Sequence, residues 1–510
     1  MKNTINSTNE SDEMASLSRR TLIGGSWVVA LRIGIQVLNL ARMIILGRLL
    51  NPVDFGLMGI ALMIIVIFEA ISQTGFQHAL IQSKENVYEY LDTAWSLMII
   101  RGFLLLAVLI GCSSLVASYF NADRIGGILP VMSIAVFLNS ISNPSVLLFI
   151  KKLDFKKHVY YESSGIVVEF FVAVVCAIFV RSVWALVSGY LAGSVSRLIM
   201  SFLLDKYRPR FSIQWQKARN LLGFGRWITG SSIMILVSGY LDNFVAAKFL
   251  GASSLGYYRM AYQISNLPAT EITYAINRVV LPTYAKIQDD DILLKETFLR
   301  VLRVISLVTF PISVTIIFLG RDFVMLLLGE KWLPMVLPMQ ILGIAGLLKS
   351  LASTGSPFFT GTGYPKYEFI MQIFRCIIIL VLIYPLTIHF GMTGIAIAVA
   401  SSSLGMLFSW FFLSVRISKA NLYEYARQLM SPLIGSIVVA GFFCFSSFCI
   451  LNTSAASFVS FSMFIGALFT GAGLYFGTIW IMSRIWPACV NFYDVQLLCN
   501  FFLKGKKVEP

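Results

Sequence analysis

The chain has 510 residues, of which 57% are hydrophobic and only 13% charged. Soluble domains carry about 25% charged residues, so this composition excludes a soluble enzyme or binding module. The net charge of +15 would suit a nucleic-acid partner, but its distribution along the chain, described below, excludes that reading too.

Residues 1–20 are polar and end in Arg19-Arg20. A full-length apolar run follows, rather than a short core with a small-residue cleavage site, so an uncleaved first span is expected after a cytoplasmic tail. The first dozen or so residues, rich in Asn, Ser and Glu, read as a disordered tail. Fourteen apolar runs then reach membrane length, roughly 21–46, 57–82, 92–119, 126–150, 160–181, 183–204, 225–250, 255–284, 297–320, 333–360, 368–388, 391–415, 430–451 and 458–485. They are continuous rather than ten-residue alternating segments, which excludes an outer-membrane barrel and predicts an all-α polytopic membrane protein.

The first of these runs recurs. Gly25–Ala61 and Gly225–Ala261 align without a gap, with Gly25/Gly225, Trp27/Trp227, Ile33/Ile233, Ile35/Ile235, Val37/Val237, Leu50/Leu250, Gly56/Gly256 and Ala61/Ala261 identical and Arg48 replaced by Lys248. This predicts two repeated six-helix lobes. Each has an even number of spans, so the repeat is parallel, about an axis along the membrane normal. The expected division is a tail 1–20, an N-lobe 21–204, a cytoplasmic linker 205–224, a C-lobe 225–415, two further spans in 416–485 and a cytoplasmic C-terminal tail 486–510. Within the linker, Trp215–Leu222 has the composition of a short interfacial helix. Prolines inside the runs, notably Pro268 and Pro311 near mid-membrane, predict kinks.

With the N-terminus in the cytoplasm, 26 of the 40 Lys and Arg fall in cytoplasmic segments and seven on the opposite side. That is the positive-inside bias, and it predicts both termini in the cytoplasm. It also accounts for the basic charge without nucleic acid, by attraction to anionic lipid heads. The seven cysteines show no metal-ligand spacing and lie mostly in apolar runs, where Cys acts as a small hydrophobe, so no metal site and no disulfide are expected.

Charge deep in an apolar span is costly and marks function. In the first span Gly25, Arg32, Gln36 and Asn39 share one face, with Arg42 to one side and nearer the outer end, where it could instead snorkel to headgroups. In the seventh, Ser231, Ser238 and Asp242 share a face, and Asp242 occupies the repeat position of Arg42; a contact between them would close an outer gate. Glu271, Tyr274 and Arg278 align in the eighth span, and Lys349 lies deep in the tenth beside Ser350, Ser353 and Thr354. Glu69 and Glu271 are the acids best placed to take a proton or sodium ion. Arg101, Arg197 and Arg375 sit near cytoplasmic ends and read mainly as anchors. The intramembrane bias toward cations (Arg32, Arg42, Arg278 and Lys349 against Glu69, Asp242 and Glu271) suits a large anionic, phosphate-bearing substrate. No Walker A loop is present, so ATP is not the direct energy source.

The segment Gly25–Gln82 resembles the amino-terminal pattern of bacterial polysaccharide flippases. The residues that carry the likeness are Trp27, the run Gly47-Arg48-Leu49-Leu50-Asn51-Pro52-Val53-Asp54-Phe55-Gly56, and the run Gly75-Phe76-Gln77-His78-Ala79-Leu80-Ile81-Gln82. The chain is most similar to the branch of colanic-acid and teichuronic-acid exporters, within the multidrug/oligosaccharidyl-lipid/polysaccharide exporter superfamily, and the likeness extends more weakly over roughly 20–450. The resemblance implies two six-helix lobes in a V shape plus two C-terminal helices. It implies flipping of an undecaprenyl-diphosphate-linked oligosaccharide from the cytoplasmic to the periplasmic leaflet by alternating access. Carried over by position, it implies that Arg32 and Arg42 contact the diphosphate or acidic sugars. No cofactor is expected; coupling to a proton or sodium gradient stays open. A polysaccharide polymerase and glycosyltransferases are candidate partners, and a monomer is expected.

Three other classes compete. A cation-coupled drug antiporter of the same superfamily should have an acidic pocket, and this one is net basic. A major-facilitator transporter should carry a basic Asp-Arg-Gly-rich loop after the second span, where this chain has SKENVYEYLD. An assembly protein without transport has no need of buried arginines in matched lobes.

Overall fold

A bilayer offers no partner for main-chain N–H and C=O groups, so a spanning segment must satisfy them within itself. The computed structural model describes residues 34–72, 88–151, 154–215, 239–452 and 457–485, and every regular element among them is helical. Nine helices among the described residues are long and apolar enough to cross a membrane: the protein is a multi-pass membrane protein. The first and seventh expected spans lie partly outside the described residues, and the count of fourteen stays an expectation.

By its internal contacts the chain divides into two units, Met1–Leu241 and Asp242–Pro510. The first unit contains α1 (34–49), α2 (Pro52–Ile71), α3 (Tyr88–Tyr119), α4 (Ile125–Ile141), α5 (Val146–Lys151), α6 (Phe155–Val180) and α7 (Trp184–Leu203). Its tightest packing is between α6 and α7. A Cβ on Gly189 would meet Ala173 Cβ at 2.6 Å and Glu169 O at 2.9 Å, and one on Gly193 would meet Gly165 O at 2.9 Å. Small residues along the two facing stripes (Gly165, Ala173 and Ala177 against Ala185, Gly189 and Gly193) let the two backbones touch, the usual way helices associate where lipid supplies no hydrophobic drive. The C-terminal ends of α1 and α6 and the start of α7 close around Leu46, Leu50, Ala173, Ala177 and Ala185.

The Asn51-Pro52-Val53-Asp54 motif is a helix start. Pro52 opens α2, where its missing N–H costs nothing. Asp54 is 4% exposed; its Oδ2 accepts from Asn51 N at 3.0 Å and its Oδ1 from Val183 N at 3.0 Å. One carboxylate thus caps α2 and fixes the turn before α7. Asp54→Ala strands both donors and is expected to lower stability by about 1–3 kcal/mol, read as a drop in the unfolding midpoint of the purified protein; Asp54→Asn, which still accepts one bond, should lose less.

After α7 the chain leaves the membrane as an extended strap, 205–214, bound along the start of α3. Arg210 N donates to Asp92 Oδ1 at 2.8 Å, Ser212 N to Ser96 Oγ at 2.8 Å, and Asn143 Nδ2 to Tyr207 O at 2.8 Å. The Tyr207 hydroxyl also donates to Asp92, and desolvation together with that carboxylate holds it above the usual phenol range. Of the expected interfacial helix, Trp215 alone is described; it is exposed, and 216–222 lie outside the described residues.

The second unit begins within α8 (239–245), which is extended by one π turn, Ala246–Leu250. Then come α9 (Gly251–Ser265), a π turn at Pro268–Ile272, α10 (Thr273–Ile287), α11 (Asp291–Phe323), α12 (Val336–Ala352), α13 (Gly355–Gly361), α14 (Pro365–Ser418), α15 (Leu422–Asn452) and α16 (Ser457–Ile485). The break between helices at Leu50-Asn51 recurs at Leu250-Gly251, and the repeat-matched Gly56/Gly256 and Ala61/Ala261 are all buried. α14 is two spans in sequence: Gly391, at φ 58°, reverses the chain between them, a conformation open to glycine and costly for residues with a Cβ. The core of this unit is aromatic, with Phe298 contacting Phe358, Trp410 and Tyr425 at ring-centroid distances of 4.2, 6.1 and 5.9 Å. A second core, centred on Phe443, Phe464 and Tyr475, packs α15 and α16 against α11, where Tyr475 Oη donates to Leu307 O at 2.9 Å.

Candidate functional site

Each unit carries its own intramembrane polar cluster. In the first, Arg42 of α1 is paired with Glu169 of α6. The register follows from the core contact: Arg42 stands four residues before Leu46, and Glu169 four before Ala173, so both lie one turn inward on the packed faces. Gly193 lets the Glu169 side chain pass, since a Cβ there would stand 3.1 Å from Glu169 Cβ. Gln36 and Asn39 are half-buried on the same helix, and Arg32 lies outside the described residues. Within its own unit Arg42 is held by Glu169.

Glu69, near the end of α2, lies close enough to Arg101 of α3 for their charges to interact. Arg101 Nη2 donates to Glu69 O at 3.0 Å and its Nε to Ser72 Oγ at 3.0 Å. Arg101, read as a lipid anchor, therefore caps the C-terminal carbonyls of α2, where a cation is favoured by the helix dipole. Arg197 similarly lies against α6, its Nη1 2.6 Å from where a Gly165 Cβ would be.

In the second unit α9, α12 and α14 surround a hollow lined by Tyr262, Ser265, Asn266, Lys349, Arg375 and Ser403, among others. Lys349 Nζ donates to Asn266 Oδ1 at a long 3.4 Å. Asp242 is 4% exposed: its Oδ2 accepts from Tyr258 Oη at 2.7 Å, and its Oδ1 from Asn243 N at 2.8 Å and Nδ2 at 2.9 Å. It is close enough to both Arg375 and Lys349 to feel their charge. Lys349 thus shares the wall of one hollow with Arg375, which the sequence reading had assigned to a headgroup, and Asp242 lies within electrostatic range of both. Glu271 lies in the π turn after Pro268 and Arg278 in α10, but their side chains lie outside those described. Among the described residues no group of His, Cys, Asp and Glu is arranged to hold a metal ion.

Two residues escaped the sequence reading. Glu169 lies as deep in its apolar run as Glu69 does in its own, and the rule applied to Glu69 would have found it. Arg375 was within reach of the same rule; placing it by distance from a loop hid what it faces.

Residues 45–337, more than half of the chain, match the family model described as polysaccharide biosynthesis protein. Over 473 residues the chain is 26% identical to an uncharacterized membrane protein in the cps region of Klebsiella pneumoniae, covering 91% of this chain and 96% of that one. It is 29% identical over 340 residues to the lipopolysaccharide biosynthesis protein WzxC of Escherichia coli strain K12, covering 66% of this chain and 69% of that one. Among solved structures it shares its fold with the lipid II flippase MurJ in an inward closed conformation, with a TM-score of 0.70 at 14% identity over 90% of this chain and 99% of that one. A multi-pass helical bundle with cations held at membrane depth, matched over most of its length by these relatives, belongs to the polysaccharide biosynthesis protein family.

Proposed function

We propose that the protein is a flippase. It moves an undecaprenyl-diphosphate-linked oligosaccharide from the cytoplasmic to the periplasmic leaflet of the bacterial inner membrane by alternating access, during synthesis of a surface polysaccharide. The observation that carries this reading is the placement of Lys349 and Arg375 on the wall of one hollow at membrane depth. Cations there suit a phosphate-bearing headgroup, whose passage through hydrocarbon they would make tolerable. The names of WzxC (lipopolysaccharide biosynthesis) and MurJ (lipid II flippase) point to the same chemistry. A drug antiporter of the same superfamily is disfavoured, because a pocket for cationic drugs should be acidic.

In this reading Arg32, Gln36, Asn39, Arg42, Arg278 and Lys349 meet the substrate. Glu69, Asp242 and Glu271 are the gating or ion-coupling candidates, and a proton or sodium gradient supplies the energy. Both termini are cytoplasmic, the lobes are 21–204 and 225–415 joined by 205–224, and the protein acts as a monomer beside a polymerase and glycosyltransferases. The test is genetic. Deleting the gene should abolish one surface polysaccharide and trap its lipid-linked repeat unit in the cytoplasmic leaflet, with both effects reversed by the wild-type gene. A deletion strain with normal polysaccharide and no trapped intermediate ends the flippase reading.

A further inference from the structure

The strap after α7 carries two unlike rows of side chains. Residues 206–215 read KYRPRFSIQW: every even position is charged or polar, and every odd one is aromatic, aliphatic or proline. Successive side chains of an extended chain point to opposite sides, so strict alternation puts the two kinds on opposite edges. Such a pattern normally marks a strand with one face on a core. No strand occurs among the described residues, and most of the odd row is uncovered. Tyr207 is half-buried against α3, but Phe211, Ile213 and Trp215 are 63%, 46% and 75% exposed. Scattered apolar side chains on a surface are ordinary; three large ones in one row mark a face that meets something.

The main chain holds the strap in place, which leaves both rows free. The N–H groups of Arg210, Ser212 and Gln214 donate to Asp92 Oδ1, Ser96 Oγ and Thr93 Oγ1 of α3 at 2.8, 2.8 and 3.4 Å. Those anchors set its depth. The span Tyr90–Tyr119 within α3 has 30 residues. At 1.5 Å per residue it is about 45 Å long, roughly the thickness of a bilayer with its headgroup layers. Asp92 and Ser96 thus stand about 3 and 9 Å in from its start, within a headgroup layer. Tryptophan rings are favoured at that level, and anionic heads attract Lys and Arg there. Lys206, Arg208 and Arg210 are all exposed. Arg208 folds back to donate to Asp205 O at 2.7 Å and Tyr207 O at 3.0 Å, so its charge stays beside the strap. Water suits one row only. An anionic bilayer surface suits both.

We propose that residues 206–215 dock on an anionic bilayer surface. Lys206, Arg208 and Arg210 meet the heads of bulk glycerophospholipids, and Phe211, Ile213 and Trp215 enter the boundary with the acyl chains. The strap is then a foot of the first unit, tied to α3 by its main chain and to the surrounding lipid by its side chains. Nothing in this depends on the flippase reading.

The test uses the full-length protein in nanodiscs of phosphatidylcholine, alone or mixed with phosphatidylglycerol. Trp215 is read as the fluorescence difference between the wild type and Trp215→Phe. That difference should be quenched by lipids brominated close to the headgroup more than by aqueous iodide. Hydrogen exchange of the 206–215 peptide should be slower with phosphatidylglycerol, by roughly fivefold for each cation engaged. Replacing Lys206, Arg208 and Arg210 together by Gln should remove that dependence on lipid charge. Phe211→Ser combined with Ile213→Ser should speed exchange in both lipids. Asp92→Ala should also speed it in both, yet keep the dependence on phosphatidylglycerol, which separates the main-chain anchor from the lipid contact. Lys286→Gln, an exposed cation on α10, should change neither readout. Exchange that is equal in the two lipids, or unaltered in the triple Gln variant, overturns the docking of the cations. A Trp215 signal quenched by iodide and not by bromolipid gives the apolar row to water or to a protein partner, and overturns the proposal.

Discussion

Glu169→Ala should cost the protein about 3–5 kcal/mol, because it leaves Arg42 charged inside the bundle with its partner removed. The magnitude turns on surroundings. Side-chain exposure is 27% for Arg42 and 18% for Glu169, and for a pair facing water a value near 0–1 kcal/mol would apply. These residues lie one turn inward from the Leu46–Ala173 contact, Glu169 in a helix of membrane length, where lipid cannot replace the lost carboxylate. The double variant separates the charge from the pair. Arg42→Met with Glu169→Leu removes both ions and should recover most of the loss, since apolar replacement of an intramembrane pair is often neutral. The check is the unfolding midpoint of the purified variants together with their level in the membrane. A Glu169→Ala protein that unfolds with the wild type would show that Arg42 is solvated from another side, and the ion pair would then hold nothing together.

Arg42 and Glu169 also show where sequence reading stops. The spans were legible because length and apolarity are local properties: helices occupy most of the described part of each expected run, although 126–150 is broken at 142–145 and 333–360 at 353–354, and even the narrow gap between the eleventh and twelfth spans falls where Gly391 turns the chain. The Asn51–Gly56 motif was legible as a pattern but not as a mechanism. Asp54 acts by reaching Val183, 129 positions away, and nothing in the motif names that partner. Pairing is a property of neighbouring helices. The sequence placed Arg42, Glu69, Asp242 and Lys349 at membrane depth, yet it could not say that Arg42 meets Glu169, that Asp242 is held by Tyr258, or that Arg101 caps α2. Arg375 illustrates the same limit in reverse. Its distance from a loop suggested an anchor, while the packing of α9, α12 and α14 makes it part of a wall.

The second large effect is expected at Gly346, where α12 crosses α9. A Cβ there would stand 2.4 Å from Ser265 O, a main-chain atom. Relief by a side-chain rotation is therefore closed, and the helices themselves would have to part. Ser265 resists that movement, because its Oγ donates to Met339 O of α12 at 2.7 Å, a bond that ties the same two helices together. Gly346→Ala should accordingly cost about 1–3 kcal/mol in overpacking. Its effect on export should be larger than its effect on stability. Gly346, Ser265 and Lys349 line one hollow, with Lys349 a single turn further along α12, so a shift that accommodates one methyl displaces Lys349 from Asn266. Two other glycines calibrate the result. At Gly343 the nearest atoms to a Cβ are side-chain carbons of Ile316 and Ile317 at 3.2 and 3.3 Å, which can yield, and at Gly441 nothing lies within 4 Å. Export in a complemented deletion strain should therefore fall in the order Gly441→Ala, Gly343→Ala, Gly346→Ala, with the first near wild type. If Gly346→Ala exports as well as Gly441→Ala at equal protein level, the close approach of α9 and α12 is not what positions Lys349. The cation would then have to be held by its own reach rather than by the crossing.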